Sequence, residues 1–530
     1  MSKNKRQDHI AGGNANADIE TNSSTSSSTN SSTNSNVDTT TSTNDVTSTN
    51  SSTNSNVDTT TSTNNVAKTN TSKVPPATQL SGINRSRLLS GSIPGALLRL
   101  SLPVMATFLL QTLYSMADAF WLGKLGREAI SAPGISFSIL FFFVSLGAGF
   151  SVAGTALVSQ YTGSGQRNQA NLAAGQTLIF LLMGAVVISL AGMMASGSIL
   201  RLMQTPTDVY ANAHLYLRVL FAGIPFMAIS FVYGGIMRGV GDAVTPMIID
   251  ITTNLLNILL DPFFIFGWAF FPRMGVAGAA LVTVGCRFLA SAACITLLIS
   301  GTRGLKVRWP QMRPRWNYLG RILRIGMPAA IGQSGASLGF MVTQGFVNSF
   351  GSAVVGAFTV VVRVIHLINV PGMGFSAGAS ALIGQNLGAD QVKRAEKTVW
   401  WGVGMVAAFL AVGCSVLAFA SETIIRLFID DPEVIAEGIV LFRVISYSVF
   451  FFGIIMVVFG AFQGSGKTAP VMVLSLTRLW LLRIPLAYLF SFVLAWGHLG
   501  IWWGMFVSNV VISLLGLYWF SKGTWKQKVI

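Results

Sequence analysis

Residues 160–166 read QYTGSGQ and residues 383–389 read IGQNLGA, and the two stretches align at an offset of 225 positions, Gln160 with Gln385 and Gly163 with Gly388. Working outward, the same offset pairs Pro103 with Pro328, Gly126 with Gly351, Ala132 with Ala357 and Ala170 with Ala395. It holds at Gly239 with Gly464 and at Gly241 with Gly466. It slips by one or two near Pro246 and Pro470 and near Pro262 and Pro485. Most of the chain is thus two copies of one unit. Both copies begin on the same side, so the repeat is parallel, about a pseudo-two-fold axis along the membrane normal, and such pairs enclose a midplane cleft in many transporters.

What fills each copy is apolar sequence. The chain of 530 residues is 51% hydrophobic and 10% charged, with a mean hydropathy of +0.59, whereas a soluble domain carries about 25% charged residues. Apolar runs lie at 95–122, 130–158, 171–198, 212–236, 244–269, 275–300, 318–349, 353–384, 394–420, 433–462, 468–495 and 499–521. Each is long enough for a bilayer core, which needs about 20 residues per helix. The expected fold is all-α and integral to the membrane: twelve transmembrane helices in two six-helix lobes related by a parallel internal repeat. The boundaries implied are 1–78 for a polar tail, 79–300 for the N-lobe, 301–317 for a linker and 318–530 for the C-lobe with a short basic tail.

The tail at 1–78 has no aromatic residue, and its block SSTNSNVDTTTSTN at 31–44 recurs at 51–64. It cannot bury enough apolar surface to offset its ordering entropy and reads as disordered. Without an apolar core segment it is no signal peptide. The formal charge of +16 suggests nucleic acid only until its placement is read. Arg303, Lys306, Arg308, Arg313, Arg315, Arg321 and Arg324 crowd between the sixth and seventh runs, with no acid among them. Between the ninth and tenth runs stand Glu422, Asp430, Asp431, Glu433 and Glu437 against Arg426. The positive-inside rule puts the 301–325 segment and both termini in the cytoplasm. The expected setting is a plasma membrane, the inner membrane in a bacterium. Cys286, Cys294 and Cys414 lie inside apolar runs with no metal-ligand spacing and read as packing residues.

Carboxylates inside a membrane cost about 2.5–3.5 kcal/mol on insertion scales and mark function by default. Asp118 in the first run and Asp261 in the fifth lie deepest, with Asp250 nearer one end. Asp250, Asn254, Asn257 and Asp261 fall at helical spacing on one face. Gln111, Tyr114 and Asp118 share a face of the first run by the same spacing. Asn254 and Gln111 suit simple interhelical hydrogen bonding as well; the two deep acids suit it poorly. The basic residues Arg287, Arg363, His366, Arg478 and Arg483 also lie in apolar runs, where pairing or snorkelling competes with contact to an anionic substrate.

The stretches SLPVMATFLLQTLYSMADAFWLGKLG at 101–126, QYTGSGQ, RGVGDAVTP at 238–246, NILLDPFFIFGW at 257–268, GVAGAALVT at 275–283, IGQNLGA and QGSGK at 463–467 come in one order. In these the chain resembles the multidrug and toxic compound extrusion (MATE) transporters over nearly everything after residue 95. The resemblance implies a twelve-helix antiporter, not an enzyme, exporting small organic molecules, cationic or amphipathic, in exchange for protons or sodium. It implies no cofactor, no nucleic acid and a monomer in the lipid bilayer. It adds Asn257, Thr283 and Tyr216 as partners around Asp118 and Asp261, whose oxygens could hold sodium as well as a proton; no other metal is expected. In the second half Thr343 stands opposite Asp118 and Ile484 about opposite Asp261, so the DinF-like branch, with coupling in the N-lobe, is the nearer match. A lipid-linked oligosaccharide flippase of the same superfamily and an ion channel are the alternatives. The phosphate-loop imitation QGSGKT at 463–468 has Ala461 where the pattern needs glycine and follows an apolar run, not a strand.

Overall fold

The computed structural model describes residues 88–268, 271–301 and 304–530; the expected disordered tail at 1–78 lies outside them. The described residues carry twelve long helices. In the N-lobe these are α1 Ile93–Gly123, α2 Arg127–Gly163, α3 Arg167–Leu202, α4 Thr207–Val240, α5 Val244–Phe266 and α6 Val276–Ser300. In the C-lobe they are α7 Trp316–Asn348, α8 Ser352–Gly388, α9 Val392–Phe419, α10 Pro432–Ser465, α11 Ala469–Val493 and α12 His498–Ser521. Helix is the form expected of each run, because a spanning segment must satisfy its backbone hydrogen bonds internally. Eleven of the twelve are long and apolar enough to cross a bilayer on composition alone. The other is α7, diluted by Arg321, Arg324, Gln333, Ser334, Ser337 and Gln344.

Two features go beyond the apolar runs. The helices outrun the apolar stretches: α2, α3 and α4 each extend three to five residues past the runs at 130–158, 171–198 and 212–236. A hydrogen-bond ladder does not stop where lipid stops, so polar first and last turns stay helical. The eleventh run is α-helical at Ala469–Leu476 and Ile484–Tyr488 and winds as wide π turns at Thr477–Arg483 and Leu489–Val493.

Repeat symmetry governs the seam between the lobes. Gln160 of α2 donates from Nε2 to the Gly464 carbonyl at 3.1 Å, and its repeat mate Gln385 of α8 donates to the Gly239 carbonyl at 2.8 Å. Both glutamines are fully buried. A Cβ on Gly163 would overlap the Gln385 backbone, and one on Gly388 the Gln160 backbone. Glycine is required at both by this reciprocal approach. The glycines after α4 and α10, Gly241 and Gly466, have φ of 99° and 77°, in the left-handed region that glycine enters freely. The stretch 463–468 is therefore a helix terminus.

The seam is reinforced at the end of the bundle where the linker lies. Gln176 donates to the carbonyls of Gln311 and Arg313, and its Oε1 accepts from Arg315 N, each at 2.7 Å. Arg394 of α9 donates to the Leu88 and Gly91 carbonyls at 3.1 and 2.6 Å. Past α12, Trp525 is fully buried, Lys526 and Lys528 pair with Glu396 and Asp390, and Val529 N donates to Gln160 Oε1 at 2.9 Å. Farther along α2, Ser145 and Ser337 share a hydrogen bond of 3.1 Å. The first half of α1, through Leu97, Leu100, Val104 and Met105, packs into the C-lobe core. Its second half belongs to the N-lobe.

Candidate functional site

That second half of α1 carries Tyr114 and Asp118, one turn apart, toward α5 and α6. The Tyr114 hydroxyl and Thr283 Oγ1 of α6 are 3.2 Å apart, and Asn257 Nδ2 of α5 donates to the same Thr283 oxygen at 3.4 Å. One helical turn beyond Asn257 lies Asp261, fully buried. Asp118 and Asp261 are close enough to interact electrostatically, and Tyr216 of α4 lies within the field of both. Helices α1, α4, α5 and α6 thus bring Asp118, Asp261, Asn257, Thr283, Tyr114 and Tyr216 into one chamber.

The chamber is rich in acceptors that nothing satisfies. Asp118 Oδ1, both carboxylate oxygens of Asp261 and Asn257 Oδ1 are buried without a hydrogen-bond partner. Buried polar atoms are nearly always paired, and four orphans at one place call for a species that supplies positive charge or donors. A proton on either carboxyl would do so. So would sodium, a hard cation served by carboxylate, amide and hydroxyl oxygens of the kind present.

A second tier lies along α5. Arg287 of α6 stands 3.7 Å from Asp250 and donates to Asn254 Oδ1 at 3.2 Å. Asp250 and Asn254 are therefore occupied by a guanidinium, apart from the orphaned acceptors. Gln111 is exposed on α1, two turns before Asp118, and no hydrogen bond brings its side chain into the chamber among the described residues. Sequence reasoning did not identify Arg287 as the partner of Asp250 and Asn254. The available signal was its spacing, one turn after Thr283 on α6. It also gave Gln160 and Gln385 no role beyond marking the repeat, since a hydrogen bond to a backbone carbonyl in the other lobe leaves no pattern of residue types. In the C-lobe, Thr343 is buried and donates to its own helix at Gly339 O, 2.9 Å away.

Comparison with known proteins points one way. The MatE family model matches residues 103–263 and 328–489, one copy in each half. A probable multidrug resistance protein NorM of Thermotoga maritima is 28% identical over 435 residues, covering 82% of this chain and 93% of that protein. The probable multidrug resistance protein YoeA of Bacillus subtilis is 27% identical over 436 residues, with 81% and 93% covered. An outward-facing multidrug resistance MATE family transporter of the MOP superfamily superposes with a TM-score of 0.78 at 26% identity, covering 82% of this chain and 97% of that one.

Proposed function

The chain belongs to the MatE family of membrane transporters, and from that premise we propose that it is an antiporter exporting cationic or amphipathic organic compounds in exchange for protons or sodium. The observation that carries the coupling part is the set of orphaned oxygens on Asp118, Asn257 and Asp261. Their buried position disfavours ionised carboxylates unless a cation joins them. Similarity to the probable multidrug resistance proteins NorM and YoeA supports the substrate side.

In this reading the basic linker end faces the cytoplasm, and the closed Gln160–Gln385 seam is the inner gate. The N-lobe chamber then takes its cation from outside. Loading neutralises Asp118 and Asp261, which alters how α1 packs between the lobes, since that helix belongs to the C-lobe core at its start and to the chamber at its end. Opening the seam exposes the chamber inward, where the cation leaves and the organic substrate enters. Pro103 within α1 and Pro262 after Asp261 each remove a backbone donor and give these helices a place to bend. The DinF-like branch, coupling confined to the N-lobe, and a working monomer are parts of this proposal.

Inverted membrane vesicles loaded with an imposed proton or sodium gradient test it. Accumulation of a cationic dye that follows one of the two gradients, and collapses with it, is the expected result. Steady current without dye exchange would instead establish a channel.

A further inference from the structure

The two lobes carry opposite charge in their interiors. The N-lobe holds Asp118, Asp250 and Asp261, with Arg287 paired to Asp250 and Arg238 of α4 also acting on that carboxylate. In the C-lobe the acids stand at helix ends, where Glu396 pairs with Lys526 and Glu437 with His498. Its interior instead receives Arg478 and Arg483, both from the π-wound turn Thr477–Arg483 of α11. Wide turns of this kind are rare and concentrate at functional positions.

The repeat makes the reversal specific. Gly275 and Gly497 are matching caps of α6 and α12, with φ of 56° and 62°. Counting from them places Asn509 where the N-lobe has Arg287. Counting from Pro246 and Pro470 places Arg478 where it has Asn254, and Leu474 where it has Asp250. The arginine–asparagine hydrogen bond recurs at 3.2 Å in both lobes with the partners exchanged. The carboxylate that neutralises it in the N-lobe is a leucine in the C-lobe. Arg483 adds a second positive charge.

Every acceptor these guanidiniums meet is neutral. Asn509 Oδ1 takes Arg478 Nη1 at 3.2 Å and Arg483 Nη2 at 2.8 Å, and Arg483 Nε donates to Ser508 Oγ at 3.3 Å. Asn509 is itself held by donating to Ser448 Oγ at 2.6 Å, and the Phe452 ring lies 4.0 Å from the Arg478 guanidinium carbon. Between them the side chains carry about ten N–H donors, and the Nε of Arg478 is buried with no partner. Among the described residues neither arginine forms an ion pair. Two like charges converging on one amide in a lobe interior leave a positive centre that polar contacts do not cancel.

We propose that Arg478 and Arg483 form an oxyanion-binding site in the C-lobe, for a phosphate, sulfonate or carboxylate group. The guanidinium fork matches such groups in shape as well as charge. The oxyanion is either a free inorganic ion or the acidic group of a transported molecule. In the second case the inference rests on the export reading and extends its substrates to compounds with an acidic group. The site itself does not depend on that reading.

The test is calorimetric titration of the full chain in nanodiscs of zwitterionic lipid, at constant ionic strength and with no gradient, using inorganic phosphate and phenyl phosphate as probes. Saturable binding of at least one probe by the wild type is expected. Arg478→Gln, checked for intact fold by gel filtration and helicity, weakens it about tenfold or more, and Arg478→Lys, which keeps the charge but loses the fork, falls between. Phenyl phosphate binding about tenfold tighter than phosphate identifies an organic substrate group as the source; equal binding identifies an inorganic ion. Absence of saturable binding by the wild type overturns the proposal. So does wild-type affinity in Arg478→Gln or, if that variant does not fold, in Arg478→Lys. Because no transport is measured, failure here leaves the N-lobe coupling site standing, and failure of dye export leaves this site standing.

Discussion

Arg287 is held in the membrane domain by Asp250 at 3.7 Å and Asn254 at 3.2 Å, and this pairing yields a direct test. Arg287→Gln leaves Asp250 partly buried beside a neutral group, which costs about 1–3 kcal/mol. Thermal unfolding in detergent should fall accordingly, and Arg287→Gln with Asp250→Asn should recover most of the loss. A double variant as unstable as the sum of the singles would mean that the pair contributes nothing. At this scale the sequence was partly legible. Asp118 and Asp261 stand out because a carboxylate in an apolar run is rare and costly, and the spacing on α5 places Asn257 beside Asp261. What could not be read was which α6 side chain faces which α5 side chain. That depends on the rotation of two packed helices, set by apolar neighbours and not by the polar residues.

In the proposed cycle the elements that part are α2 and α8, whose crossing brings Gly163 onto the Gln385 backbone and Gly388 onto that of Gln160. Any side chain at Gly163 holds the seam apart. Gly163→Val should reach the membrane at the wild-type level yet lose dye export about tenfold or more. Gly184→Ala, where an added Cβ meets nothing within 4 Å, should export normally. Efflux at matched expression decides between them, and full export by Gly163→Val would exclude this contact from the cycle. Helix number and order were legible here because hydropathy alternates between long apolar runs and short polar loops. The π turns of α11 were not, since Thr477–Arg483 has the composition of an ordinary helix and its winding depends on packing against α7 and α12.

At the scale of the whole molecule, the offset of 225 predicted the two-lobe symmetry, and the crossed Gln160–Gly464 and Gln385–Gly239 hydrogen bonds are its direct expression. Symmetry also exposes asymmetry: unpartnered carboxylate and amide oxygens in one lobe, arginines in the other. Orientation is argued from the seven basic residues around the linker. A single cysteine at Pro310 should react with a membrane-impermeant maleimide only after permeabilisation, and the native Cys286, Cys294 and Cys414 are buried. Labelling in intact cells would invert the topology and with it the direction assigned to export. The central claim is that the N-lobe carboxylates couple transport. Its most direct test is gradient-driven accumulation of a cationic dye in proteoliposomes by Asp118→Asn and Asp261→Asn. Amides keep size and hydrogen-bonding capacity and are cheaper than carboxylates in a membrane, so both variants should fold and insert. Each should lose accumulation about tenfold or more, whereas Glu433→Gln, at a helix end, should not. If both aspartate variants pump like the wild type, the coupling cation is bound elsewhere.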